Sequence, residues 1–426
     1  MLGVILFASF FILVFLNVPI AVSLGLSSLI GLTVGGHSFS MFPSIMYTAI
    51  GKFTLLAIPF FILAGVIMDY AGISRRLIKF ATVCVGHRKS GLISVVVITS
   101  CFFAAISGSG PATVAALGSI LIPAMAKAGH NKAMSAALMS ASGAIGIIIP
   151  PSIAFVVYAS IADVSVGKLF SGGIIPGILV GVAYLFAAQY SSRNNKEIIE
   201  QPKATQPEIW QAFKDAFWGL LTPVIILGGI YGGIFTPTEA AGVAVVYGLV
   251  VGIFIYKEIK LKHLWEIFVD SAISSGTVMY IVAAASVFAW LLSTSHIASN
   301  ISSAILSVAT SKTLALLMIN VIFLIAGCFL DANSAFYILV PIMMPIVHAF
   351  EIDPIHFGVF ITTNMAIGQI TPPVGINLYV ACNIAQISVG EICKKILPFL
   401  VAGIIALLIL TFIPAITTFL PNLIYS

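Results

Sequence analysis

Apolar residues run in long, nearly unbroken stretches along most of this chain, and the polar residues gather in a few short segments between them. The runs show no alternation of polar and apolar positions, which excludes a lipid-facing β-barrel. Stretches such as Val4 to Leu16, Val224 to Tyr256 around one interruption, and Leu397 to Leu420 suit helices, since a helix needs about 20 apolar residues to cross a bilayer. The pattern predicts an all-α polytopic membrane protein with crossings at 2–16, 19–36, 53–70, 131–165 and 169–190, and a helical hairpin at 90–127. The second half reads as crossings at 216–235, 237–256, 272–293, 354–388 and 396–421, with a hairpin at 313–350.

Two double prolines break this pattern. Gly146-Ile-Ile-Ile-Pro150-Pro151-Ser-Ile and Gly368-Gln-Ile-Thr-Pro372-Pro373-Val-Gly lie 222 residues apart (150 to 372), and Val164-Ser-Val-Gly167 is matched by Ile387-Ser-Val-Gly390 at nearly the same distance. Broken helices in corresponding halves of a membrane chain point to a transporter's binding site. The polar stretch Ser191 to Lys214 divides the halves: a first repeat over 1–190, a linker over 191–215 and a second repeat over 216–426. An odd number of crossings per half makes the second repeat inverted relative to the first, with its hairpin re-entering from the opposite side.

Cytoplasmic loops carry the excess of Lys and Arg. With both termini outside, inner loops hold Arg75, Arg76, Lys79, Arg88, Lys89, Lys127, Lys132, Arg193, Lys196, Lys203, Lys214, Lys257, Lys260, Lys262, Lys394 and Lys395, leaving only Lys52, Lys168 and Lys312 of the 19 outside. The segments 73–80 and 259–269 are charged on one side and apolar on the other, as helices lying in the interface are, or as ordinary cytoplasmic loops can be.

Composition agrees on the solvent. The chain of 426 residues is 60% hydrophobic and 8% charged, against roughly 25% charged in soluble domains. The first segment has neither a basic leader nor a small-residue cleavage site, so it reads as a retained helix. Cys84, Cys101, Cys328, Cys382 and Cys393 form no CxxC pair, which supports packing roles and neither zinc nor disulfides. The net charge of +5 follows from topology, and no nucleic-acid partner is expected.

Chemistry concentrates at the hairpin tips and breaks. The first tip, Ser107-Gly-Ser109-Gly110-Pro-Ala-Thr113, frees backbone groups where irregular chain survives only against protein or a watery cavity. The helix starting near Pro111 aims N–H groups at an anion, while preceding carbonyls and the hydroxyls of Ser107, Ser109 and Thr113 suit sodium; packing of small residues is the plainer alternative. The same shift gives a second tip, Asp331-Ala-Asn333-Ser334. Asp331, costing at least about 2.5 kcal/mol inside a membrane, is expected to bind a cation or organise polar substrate groups, unless it reaches the outer interface. Each double proline frees carbonyls one turn earlier, over Gly146 to Ile149 and Gly368 to Thr371. Asp163 and Glu239 fall near helix ends, and His296, His348 and His356 read as interfacial. An enzyme is disfavoured, since Asp69 and Asp331 lack a Gly-x-Gly-Asp setting and Ser107 and Ser109 have no neighbouring His. An ion channel is the more serious rival, and the inverted hairpins and the absence of a repeated filter loop are what separate a carrier from it.

Ser107-Gly-Ser-Gly-Pro-Ala-Thr, Gly146-Ile-Ile-Ile-Pro-Pro-Ser and Phe170-Ser-Gly-Gly-Ile-Ile-Pro-Gly177 closely resemble motifs of the large membrane subunit of tripartite ATP-independent periplasmic (TRAP) transporters, over essentially the whole length. The resemblance implies an elevator-type, ion-transporter-like fold in a bacterial inner membrane. Scaffold helices at 1–72 and 216–270 would stand against transport elements at 88–190 and 272–426. It implies import of an organic acid driven by sodium, two or more ions, with a periplasmic substrate-binding protein and a small four-helix membrane subunit as partners. Ion sites would fall on Ser107, Ser109 and Thr113 with Gly146 and Pro150, and on Asp331, Asn333 and Ser334 with Gly368, Thr371 and Pro372. Substrate would lie near Ser109, Gly110, Asp331 and Asn333. Sialic acid or a four-carbon dicarboxylate is the expected cargo, the former favoured, and a stand-alone dicarboxylate carrier is the alternative.

Overall fold

A computed structural model describes residues 2–87, 91–193 and 202–425. Arg88, Lys89 and Lys196 of the charge map lie outside the described residues. The first half opens with α1 (Leu2–Phe15), α2 (Ile20–Val34) and a short α3 (Met41–Ile50), then passes through a 3-10 turn at Phe53–Leu56 into α4 (Ala57–Tyr70) and α5 (Ile73–Val85). A hairpin follows, α6 (Gly91–Ser107) and α7 (Gly110–Lys127), then an interrupted pair, α8 (Lys132–Ala144) and α9 (Ile153–Ala162), and the long α10 (Val166–Ser192). The second half holds α11 (Gln206–Tyr231), α12 (Pro237–Val250) ending in a π turn at Val251–Ile255, α13 (Leu261–Thr294) and α14 (Ile297–Val308). Its hairpin is α15 (Lys312–Phe329) and α16 (Ala332–Ala349), its interrupted pair α17 (Pro354–Gly368) and α18 (Ile376–Ala385), and α19 (Val389–Phe412) and α20 (Ala415–Ile424) complete it. Among the described residues, 9 helical segments have the length and composition to cross a membrane.

Corresponding elements keep their register. α7 and α16 are both 18 residues long and start at 110 and 332, the spacing that also separates the double prolines. Both Pro150–Pro151 and Pro372–Pro373 are cis. The halves also exchange partners: α18 packs on α7 and α8 beside the first hairpin, and α9 packs on α16 of the second. α13 carries α2, α3 and α4 along its length, and α12 lies on α4 and α11 on α5. Lys52, just before the 3-10 turn, donates from Nζ to the carbonyl of Ser160 at 2.6 Å, a cation at the end of α9 where the helix dipole favours one.

Several boundaries differ from those expected. The segments 259–269 and 272–293 form one 34-residue helix, α13; Ile273 continues the helix at the position corresponding to Gly51, which ends α3. The expected crossing 396–421 divides at Pro414, where the proline cannot continue α19. The linker is shorter than 191–215: α11 starts at Gln206 because Thr205 and Glu208 form a capping box and Pro207 sits in the first turn, where its missing N–H costs nothing. α3 and α14 are short helices in stretches read as loops. Residues 73–85 form a helix that buries Ile73, Leu77, Ile78 and Ala81.

Lipid is as apolar as a leucine side chain, so helices in a membrane associate through close packing and hydrogen bonds. α15 and α17 meet at paired glycines, where a Cβ on Gly368 would lie 2.5 Å from the Cα of Gly327. A buried polar chain runs beside this contact. Asn364 Nδ2 donates to Asn320 Oδ1 at 2.9 Å, Asn320 Nδ2 to Thr411 Oγ1 at 3.0 Å, and the ring of His356 bonds the Thr411 carbonyl and Thr417 Oγ1 at 3.2 and 2.8 Å. His356, expected at the interface, is buried within the protein; two partners, one each from α19 and α20, make its burial tolerable.

Replacing Gly368 by Val should lower the thermal stability of the purified protein by the equivalent of about 1–3 kcal/mol, because backbone opposes the new side chain. Gly390→Ala, with nothing within 4 Å of its Cβ, should leave the melting temperature unchanged; equal effects from both would rule out the close approach as the cause.

Candidate functional site

The first hairpin turns at Gly108, whose φ of +62° favours glycine. A Cβ there would also lie 2.7 Å from the carbonyl oxygen of Pro151. Ile153, just past the double proline, donates its N–H to the Gly108 carbonyl at 3.3 Å, so the tip and the break of the first half are tied together. Around this tie the expected oxygen donors gather. Ser107 Oγ and Thr113 Oγ1 are 2.9 Å apart, Thr113 Oγ1 donates to the Ser109 carbonyl at 2.8 Å, and a Cβ on Gly146 would come within 2.7 Å of that carbonyl and 2.8 Å of Thr113 Oγ1. Ser107, Ser109, Thr113 and Gly146 thus share one buried corner. Ser109 begins α7 without a side-chain cap, leaving the first N–H groups of that helix free of a local acceptor.

The second tip is built differently. Asp331 caps α16: Oδ2 accepts from the N–H groups of Asn333 at 3.0 Å and Ser334 at 3.4 Å, and Oδ1 accepts from the Ser334 hydroxyl. Asp-x-x-Ser at a helix start is a capping signature, a role the charge argument passed over. Gly375 donates to the Cys328 carbonyl at 3.3 Å, so here too the chain beyond the prolines bonds back to the hairpin. Asn333 Oδ1 is buried without a hydrogen-bond partner.

The carbonyls before the prolines are less free than expected. Ile147 accepts the Ser152 hydroxyl at 2.6 Å, Gly368 accepts the N–H of Thr371 at 2.9 Å, and Gln369 accepts that of Asn377 at 3.1 Å. Ser152 and Asn377, from beyond the two breaks, supply donors in place of the N–H that proline lacks. Thr371 turns its hydroxyl back to the Ile367 carbonyl at 2.7 Å.

A cavity of about 310 Å³ opens beside the first tip. Its walls include Ser107 and Ser109 from the hairpin, Gly65, Asp69 and Tyr70 from α4, and Asp270 and Ser274 from α13. The two acids hold hydroxyl partners, Tyr70 on Asp270 at 3.0 Å and Ser74 on Asp69 at 2.7 Å. Asp69 and Asp331 have separate partners. No residue of the second tip lines this cavity.

The profile of the family described as "Tripartite ATP-independent periplasmic transporter, DctM component" matches residues 7–416. The chain belongs to the DctM family. It is 43% identical over 416 residues to the isethionate TRAP transporter permease protein DctMQ of Oleidesulfovibrio alaskensis, covering 97% of this chain and 66% of that protein. It is 44% identical over 370 residues to the C4-dicarboxylate TRAP transporter large permease DctM of Pseudomonas aeruginosa, over 87% of this chain and 86% of the relative. The sialic acid TRAP transporter permease SiaT of Haemophilus influenzae is 36% identical over 97% of this chain and 67% of its own. In structure, the YdaH transporter of Alcanivorax borkumensis superposes with a TM-score of 0.62 at 15% identity, over 88% of each chain, so the two share a fold. The DctM family consists of transporter permeases, and this member is a multi-pass membrane protein.

Sequence reasoning left Gln369 and Asn377 out of the site, although both are amides in an apolar run. Their packing against Gly110 joins the second break to the first tip, a cross-half contact that spacing along the chain does not reveal. Asp270 and Tyr70 were missed as well, for they meet the hairpin only in the folded DctM protein.

If the Asp331 carboxylate acts first as a cap, Asp331→Ala should cost about 1–2 kcal/mol of stability. Asp331→Asn, which keeps an acceptor, should recover most of it. Thermal unfolding of both variants in detergent checks this, and equal losses would show that the charge matters more than the cap.

Proposed function

We propose that this DctM chain is the translocating subunit of a sodium-coupled importer of small organic anions in a bacterial inner membrane. The observation that supports it most is the pairing of each helix break with its own hairpin tip through a backbone bond, Ile153 to Gly108 and Gly375 to Cys328. Oxygen-rich irregular backbone at that depth is what a carrier places around ions.

In this reading the halves, 1–190 and 216–426, are inverted repeats and their hairpins enter from opposite leaflets, with both termini on the periplasmic side. Sodium is a co-transported substrate, two or more ions per cycle. One ion is held by Ser107, Thr113 and the Ser109 carbonyl beside Gly146 and Pro150. Another lies at Asp331, Asn333 and Ser334 with Gly368, Thr371 and Pro372. The anion meets the uncapped start of α7 at Ser109 and Gly110, where N–H groups and the helix dipole attract negative charge. Asn333 and Asp331 would border it from the second tip. Helix ends and hydroxyls hold an anion less tightly than arginine forks do, which favours release.

The cargo class is a carboxylate or sulfonate of small size. The relatives are named for isethionate, C4-dicarboxylate and sialic acid systems, so the preference for sialic acid that the sequence suggested gains no support over the other two. A periplasmic binding protein delivers the anion, and a small four-helix membrane subunit stands alongside. Transport elements 88–190 and 272–426 move as an elevator against scaffold helices in 1–72 and 216–270.

Proteoliposomes containing this chain, its small subunit and the binding protein should accumulate labelled anion only with an inward sodium gradient. Uptake at full rate with sodium replaced by choline would refute the coupling. Uptake undiminished without the binding protein would favour a stand-alone carrier.

A further inference from the structure

Two amide side chains at the second break face the first hairpin with no work assigned to them. Asn377 is fully buried and Gln369 is 3% exposed, and neither Asn377 Oδ1 nor Gln369 Oε1 has a hydrogen-bond partner. Both oxygens border one point. A Cβ on Gly110, the first residue of α7, would lie 2.5 Å from Gln369 Oε1 and 3.2 and 3.3 Å from Asn377 Nδ2 and Oδ1.

The direction of the Asn377 amide is fixed by its surroundings. Its Nδ2 donates to the Ser140 carbonyl at 3.3 Å, its backbone N–H donates to the Gln369 carbonyl at 3.1 Å, and its own carbonyl accepts the Ser140 hydroxyl at 3.1 Å. One Nδ2 hydrogen is engaged by Ser140 and the Oδ1 acceptor is left over. A buried acceptor without a partner costs about 1–3 kcal/mol, so two beside the same glycine call for a shared partner.

We propose that Gln369 and Asn377 form a monovalent-cation site at the junction of the first tip and the second break, separate from the hydroxyl corner at Ser107 and Thr113. Neutral carbonyl-type oxygens replace the hydration shell of a singly charged ion, and the pair brings no carboxylate, imidazole or thiolate that a divalent metal would favour. Water completes the ligand set. A cation here sits next to the uncapped start of α7, where the transported anion is placed, and each ion lowers the cost of the other. That reciprocity is a coupling free energy between sodium and cargo. The inference rests on the sodium-coupled reading above.

The test is a sodium titration of the thermal stability of the purified chain in detergent, with choline keeping ionic strength constant. Gln369→Met removes one oxygen at similar length, and Gln369→Glu keeps the oxygen and adds a charge. The methionine variant should raise the sodium midpoint by about tenfold and the glutamate variant should lower it by a similar factor. If the methionine variant does not fold, the glutamate variant alone decides. A sodium-responsive wild type with unchanged midpoints in the variants overturns this site and leaves sodium coupling standing. A wild type that responds equally to choline overturns the coupling and the site together.

Discussion

Backbone polar groups cannot be left unpaired at membrane depth, and that single constraint organises the centre of this protein. A helix crossing hydrocarbon satisfies itself, but each double proline removes donors and leaves acceptors behind. The protein answers by folding the chain beyond each break onto a neighbouring hairpin, so that Ile153 reaches Gly108 and Gly375 reaches Cys328. Ser152 supplies a hydroxyl to the Ile147 carbonyl for the same reason. These bonds tie each tip to its break.

The two tips solve one problem with different chemistry. The first needs a glycine with positive φ to turn and leaves its second helix uncapped. The second turns through Leu330 with ordinary extended backbone and caps its helix with a carboxylate. An uncapped helix start attracts anions, whereas a start already neutralised by Asp331 does not. The cavity follows this asymmetry, since it opens beside the first tip.

Most of the architecture was legible in the sequence because its signals are local. Long apolar runs, the Gly-Ser turn at 107–110 and the doubled prolines each act within one or two turns of chain, and the expected hairpin 90–127 agrees with α6 and α7 to within a residue where the chain is described. What the sequence concealed depends on contacts between distant segments. His356 is buried because Thr411 and Thr417 come from helices far along the chain. Asp331 was legible as a charge but its role as a cap competes with that reading, and only geometry decides how its oxygens are used. The continuous α13 runs through the stretch where the first half breaks at Gly51, a difference that a repeat-based reading smooths over.

The meeting of Gly327 and Gly368 has a mechanical side. Two backbones this close leave no room for a side chain between them. The first arm of the second hairpin and the helix leading into the second break thereby share a backbone-to-backbone seam, and any side chain added at either glycine would have to wedge the two helices apart.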